Sequence, residues 1–275
     1  DVIVGVGNTS LIGCVNPQVR LAELVGMDSK NSAPDHQLVL EFRRTEAGTA
    51  AEKQAWLDSL PSTEDESACQ DLRRLLSKAD ALKSWSGPVA LWEGITFDEA
   101  TSRVTTVKLD GWGVKAALSS VISALRRFPS LNELVLDNNP KISGSTNALQ
   151  ELPRLRDLSL DACVGLIGDI MPIGRALTNL TSLDLTNCTK ITGDLRSIIS
   201  LSGLRLLCLG DTQLSGNLTS LRSMVQLRHL DLHKVTVNGN INILSGLRHL
   251  ETATITSNRV IGRLGNIANL TNLKV

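Results

Sequence analysis

A chain of 275 residues is long enough for one large core or two ordinary ones. Its 28 Lys plus Arg balance its 28 Asp plus Glu, so the charge gives no pointer to nucleic acid or an anionic membrane, and no apolar run is long enough to span a bilayer. Aromatics make up 3% and tyrosine is absent, so leucine must build the core; five cysteines without a CxxC pair exclude a zinc knuckle and a dense disulfide framework and read as buried free thiols.

The first stretch, VIVGVGNTSLIGCV at residues 2–15, admits two readings. A strand followed by G-x-G-x-x-G opens a dinucleotide-binding βαβ unit. Here Gly5 and Gly7 fit, but the third position is Ser10 and no amphipathic helix follows directly. The other reading, a fragment of something repetitive, depends on the rest of the chain. The stretch lacks a basic n-region and does not read as a signal peptide.

Residues 28–61 read as a connector, polar at first (DSKNSAPDHQ) and helical in its later part (TAAEKQAWLDSL). Over 62–103 the spacing predicts a helical cap. Ser62 or Thr63 with Asp65 or Glu66 forms a capping box, and Ala68, Leu72, Leu75, Leu76, Ala79 and Leu82 share one apolar face. A tryptophan-bearing segment, LKSWSGPVALWEGITFDEATSRVTTVKLDG, then leads into residue 104.

From residue 131 a frame L-x-x-L-x-L-x-x-N-x-L-x-G recurs, starting at Leu131, Leu155, Leu180, Leu204, Leu227, Leu250 and, cut short, Leu273. The starts lie 24, 25, 24, 23, 23 and 23 residues apart, and an imperfect first copy begins at Val104. The period of two in L-x-x-L-x-L describes a short strand with its leucines inward. The ninth position (Asn139, Cys163, Cys188, Thr212, Val235, Asn258) turns inward as well and bonds adjacent backbone, except where Val235 interrupts the ladder. The following glycines (Gly144, Gly168, Gly193, Gly216, Gly239, Gly262) mark a tight bend. One unit cannot bury its own leucines, so the units must stack into a solenoid.

This frame identifies residues 104–275 as a leucine-rich repeat array of about seven units. The fold class expected is an α/β solenoid, a curved array with parallel short strands on the concave face and a helical N-terminal cap. The segments LSGNL, VNGNI and ITGDL resemble the plant-type subclass, while CVGLIG and CTKITG resemble the cysteine-containing one. Leu82, Ser84, Trp85, Trp92, Gly94, Asp98, Arg103, Val104 and Thr105 match the N-terminal cap of plant extracellular leucine-rich repeat proteins. The two cap cysteines of that pattern fall on Ala90 and Phe97, so packing of Trp85, Trp92 and Phe97 is expected in place of a disulfide. The resemblance implies an extracellular or cell-surface protein, and the missing disulfide leaves the cytoplasm open.

The opening stretch now aligns with the repeat. Val4, Val6, Thr9, Leu11, Gly13 and Val15 fall on Leu207, Leu209, Thr212, Leu214, Gly216 and Leu218. Residues 1–27 are therefore expected to be the last repeat of an upstream array, and the sequence a piece of a longer chain or assembly.

Residues between the strand leucines project onto the concave face, where solenoids bind partners. The candidate partner-binding residues are Glu133, Asp137, Asp157, Ser159, Asp161, Asp184, His229, Asp231, His233 and Thr254. The acidic N-terminal half of this face favours a protein partner with a basic segment. His229, Asp231 and His233 point the same way, but positions four apart on a strand lie about 13 Å apart, too far for one metal ion. No nucleophile elbow, P-loop or HExxH motif occurs, so no catalytic, cofactor or metal site is read. Sequons at Asn8, Asn179, Asn187, Asn217 and Asn269 make a glycoprotein conceivable. The function expected is non-enzymatic protein recognition through the concave face, in a receptor-like ectodomain as the resemblance implies; the alternative is a structural subunit of a larger assembly, held through its convex side and connector.

Overall fold

A computed structural model of the chain describes residues 63–76, 85, 89, 92–98, 100–257 and 259–274, and before them only the backbone of three short strands. Those strands, β1 (Ile3–Val6), β2 (Thr9–Leu11) and β3 (Val39–Glu41), form a sheet in the order β2-β1-β3, with both pairings antiparallel. A repeat coil instead pairs in parallel with its neighbours, so this sheet is not the arrangement expected of a terminal repeat at 1–27. The sequence offers a reason, because Gly7-Asn8 between β1 and β2 is a dipeptide suited to a two-residue β-hairpin. The bend expected at Gly13 and the helix expected late in the connector lie outside the described residues.

Helix α1 (Thr63–Leu75) has Glu64, Asp65 and Glu66 in its first turn and Arg73 and Arg74 in its last, as its dipole favours. Ala68, Cys69 and Leu72, with Leu76 just beyond, are buried, whereas Ala79 and Leu82 lie outside the described residues. A hairpin follows, in which β4 (Ile95–Phe97) pairs antiparallel with β5 (Val104–Lys108). Asp65, fully buried, accepts hydrogen bonds from the Val104 amide at 2.7 Å and from Arg103 Nη1 at 3.1 Å. The helix is thereby tied to the first strand of the array.

Trp85 stacks on Trp92 with ring centroids 4.8 Å apart and meets Trp112 edge-on at 5.3 Å. All three rings are buried, and Trp85 Nε1 donates to the Glu93 carbonyl at 2.7 Å. Phe97, expected to join them, is half-buried at the core's margin. The sequence reading missed Trp112, which lies past the cap motif.

Beyond the cap, main-sheet and outer strands alternate. They are β6 (Glu133–Val135), β7 (Gly144–Ser145), β8 (Asp157–Ser159), β9 (Leu166–Asp169), β10 (Ser182–Asp184), β11 (Ile191–Asp194), β12 (Leu206–Cys208), β13 (Gln213–Asn217), β14 (His229–Leu232), β15 (Thr236–Asn240), β16 (Thr252–Ile255) and β17 (Arg259–Ile261). The main sheet runs β16-β14-β12-β10-β8-β6-β5-β4 and the outer sheet β17-β15-β13-β11-β9-β7; every pairing from β5 onward is parallel. The frame leucines Leu134, Leu158, Leu183, Leu207 and Leu230 are essentially inaccessible and form one continuous core with the cap tryptophans. The first unit is longer than the rest, and the extra chain forms a full helix, α2 (Leu118–Leu125).

The ninth position behaves as its chemistry dictates. Asn139, wholly buried, accepts from the Val114 amide at 2.8 Å and donates to the Leu109, Leu136 and Asp137 carbonyls. Cys163 and Cys188 each donate Sγ–H to a carbonyl of the preceding coil, Leu136 and Leu160, and Thr212 donates to Leu209. Burial pushes both thiols up to about 12, so they remain protonated donors. The residue just before this position is left-handed in successive coils: Asn138, Ala162, Asn187, Asp211 and Lys234 have φ between 55° and 60°. Asparagine tolerates this conformation and alanine does not, at a cost of about 1–2 kcal/mol. Ala162→Gly is therefore expected to stabilise the protein by about 0.5–1 kcal/mol, read as a higher urea midpoint. An unchanged or lower midpoint would refute the strain.

At the second bend all six frame glycines have φ from 107° to 143°. The next residue then caps a short helical turn: Ser145, Asp169, Asp194, Asn217 and Asn240 each accept from the amide two residues on.

Candidate recognition face

The strand register sets Glu133 beside Thr106 and Asp157, and then runs through Ser182, Leu206 and His229 to Thr252. Lys108, Val135, Ser159, Asp184, Cys208, Asp231 and Thr254 form a second row by the same pairings. Past the strand ends the backbone ladder continues: the Asn138 amide donates to the Asp161 carbonyl and the Ala162 amide to that of Thr186. Asp110, Asp137, Asp161, Thr186, Gly210 and His233 therefore form a third row. Adjacent rungs are about 4.8 Å apart.

The candidate residues divide by partner. Glu133 is engaged by Lys108 Nζ at 2.7 Å and Thr106 Oγ1 at 3.1 Å. Asp157 accepts from Thr181 Oγ1 at 2.9 Å, at the edge where the strands begin. His233 Nδ1 lies 2.9 Å from both Asp231 carboxylate oxygens, while His229 Nδ1 lies 3.0 Å from Thr252 Oγ1. Gly210 makes room for the His233 ring, which a Cβ there would meet at 2.0 Å. Thr254 is exposed on the edge strand.

Asp137, Asp161 and Asp184 are the residues brought together. Asp137 accepts from the Asp161 amide at 2.8 Å, Asp161 from Asn187 Nδ2 at 3.0 Å, and Asp184 from the Thr186 amide at 2.8 Å. These are neutral donors, and among the described residues none of the three carboxylates has a salt-bridge partner. Burial raises the pKa of Asp137, against the pull of Ser159 and the Asp161 amide, and Asp184 and Asp161 raise it further. Asp184 is raised in the same way, first by burial, with Asp161 and Asp231 adding to it. Cys208, between Asp184 and Asp231, is pushed up to about 12 by burial and then by those charges, which keeps it a thiol.

A raised carboxylate pKa in the folded state means that folding binds protons. The stabilising contribution is present below the unfolded pKa and is lost as pH rises through the folded one. Asp184→Asn, which keeps the acceptor oxygen, is therefore expected to stabilise the protein at pH 7 by on the order of 0.5 kcal/mol. That advantage should vanish near pH 4, the ordinary Asp range. Urea unfolding at the two pH values checks this, and a variant less stable at pH 7 would contradict it.

Sequence reasoning missed the left-handed column flanking this face, where Asn138 Nδ2 reaches Asp110 at 2.8 Å and Lys234 reaches Asp211 at 2.8 Å. Its signal was the run of Gly, Asn and Asp at the eighth position. Of the sequons, Asn179 and Asn269 are exposed, Asn187 and Asn217 half-buried, and Asn8 lies outside the described residues.

No protein-family model matches the sequence, and no curated protein matches it. Solved structures do. A plant ice-binding protein is 15% identical with a TM-score of 0.56, over 74% of this chain and 73% of that one. A pollen receptor kinase 3 is 25% identical with a TM-score of 0.56, over 70% of this chain and 95% of that one. An internalin C2 from Listeria monocytogenes is 18% identical with a TM-score of 0.48, over 74% and 94%. The chain shares the leucine-rich repeat fold.

Proposed function

We propose that this leucine-rich repeat protein is a non-enzymatic recognition scaffold, receptor-like in type, that holds a basic segment of a protein partner on its concave face. The observation that carries the reading is the run of Asp137, Asp161 and Asp184, half-buried and without a cation among the described residues. Lys or Arg side chains spaced along an extended peptide would replace neutral hydrogen-bond donors with charge-assisted ones. The likeness to a receptor kinase at 25% identity supports the receptor-like part.

The test is fluorescence anisotropy with a labelled peptide of alternating Lys and Ser. Neutralising all three aspartates to Asn should weaken binding about tenfold or more and flatten its salt dependence, with the fold intact by circular dichroism. Equal binding by wild type and variant would remove the reading. A structural-subunit role draws on Ile199 and Val225, apolar and about half exposed on the coil backs at 52% and 47%. It predicts that Ile199→Asp breaks an assembly while the aspartate variant leaves it whole.

A further inference from the structure

The zero net charge conceals a separation. While carboxylates gather on the concave face, the edge at which the main strands begin gathers cations. Arg156, Arg205 and Arg228 each stand one residue ahead of a main-sheet strand, and Lys274 ends the same row. The row is one backbone ladder: amides of Thr181, Arg205, Arg228, Glu251 and Lys274 donate in turn to carbonyls of Arg156, Thr181, Arg205, Arg228 and Glu251 at 2.7–2.8 Å. All four cations are exposed. Among the described residues Arg156 and Arg205 have no carboxylate partner, while Arg228 and Lys274 share Glu251 at 3.2 and 2.9 Å. An open depression of about 300 Å³ lies at the end of this row, lined by Arg228, His249, Glu251, Asn272 and Lys274.

We propose that this edge binds a linear acidic polysaccharide laid along the stacking axis, with one sugar seated in the depression. Coils repeat about every 4.8 Å, a spacing close to one sugar residue of an extended chain, so anionic groups spaced along the chain reach Arg156, Arg205, Arg228 and Lys274 while Thr181 and Glu251 occupy the rungs between them. Gln226 offers its amide to sugar hydroxyls, and Thr181 Oγ1 and Asn272, which already donate to Asp157 and to the Arg248 carbonyl, keep acceptor oxygens for them. The edge exposes no aromatic ring among the described residues, which removes the stacking platform that single-stranded nucleic acid uses. The row is narrow rather than a broad basic face, which suits a thread better than a bilayer. The edge is separate from the aspartate run, so this proposal stands or falls without the concave-face reading.

The experiment is titration of the full chain with a heparin oligosaccharide at low and physiological ionic strength. Wild type should bind and weaken with salt, and Arg156→Ser, Arg205→Ser, Arg228→Ser and Lys274→Ser together should weaken it at least about tenfold. A control with the same charge change elsewhere (Lys115→Ser, Lys141→Ser, Lys190→Ser and Arg259→Ser) should stay within about twofold. If the fourfold variant does not fold, Arg205→Ser alone with rescue by Arg205→Lys carries the same comparison. No binding by wild type, equal losses in both variants, or tighter binding to phosphatidylserine vesicles or double-stranded DNA would each overturn the proposal.

Discussion

Trp85→Ala is expected to destabilise the cap by about 3–5 kcal/mol, the range for deleting a large buried aromatic. Trp85 is wholly inaccessible, stacks on Trp92, meets Trp112 edge-on and donates Nε1–H to the Glu93 carbonyl. Truncation removes both ring contacts, worth about 0.5–1.5 kcal/mol each beyond area, and leaves a cavity beside Trp92 and Trp112. In a solenoid each unit contacts only its neighbours, so the loss falls first on the cap end. Urea unfolding followed by far-ultraviolet circular dichroism, which does not rely on tryptophan emission, measures it. A loss below about 1 kcal/mol would show that the array holds itself without the tryptophan cluster. Phe97→Ala, at the margin of that cluster, should cost clearly less.

The array was legible because its periodicity restates one physical requirement in every unit. Leucines at fixed offsets must face inward, so even the strand register of Glu133 beside Asp157 or Asp184 beside Cys208 follows from aligning the frames. Single-copy features were harder. Trp112 belongs to the first, imperfect unit, and nothing in the frame marks a ring there for the cap. At the other extreme, β1 and β2 carry the frame's apolar spacing yet pair antiparallel, because Val4, Val6 and Leu11 alternate equally well in a hairpin. On the concave face the rows were readable but the pairing within them was not. That Glu133 is taken by Lys108 whereas Asp137, Asp161 and Asp184 have only neutral donors depends on side-chain geometry across coils. The cationic edge escaped notice because its residues lie outside the fixed positions of the repeat.

The ninth-position ladder yields a graded expectation, since the same site holds Asn, Cys, Thr and Val in one molecule. Asn139→Val should cost about 3–4 kcal/mol. It deletes four hydrogen bonds and leaves the Val114 amide, whose partner is Asn139 Oδ1 at 2.8 Å, buried without an acceptor. The abandoned carbonyls suffer less. Leu136 still accepts from Cys163 Sγ, Leu109 from the Trp112 amide and Asp137 from the Gly111 amide. Thr212→Val removes one bond, from Oγ1 to the Leu209 carbonyl at 2.7 Å, and should cost only about 1 kcal/mol. Position 235 already carries valine, fully packed, and the parallel pairing of β13 with β15 continues beside this gap in the ladder. Hydrogen exchange at the Val114 amide separates the causes: it should lose protection in Asn139→Val and keep it in Thr212→Val. Equal costs for the two variants, or a Val114 amide still protected in Asn139→Val, would mean that the side chain at this position only fills space.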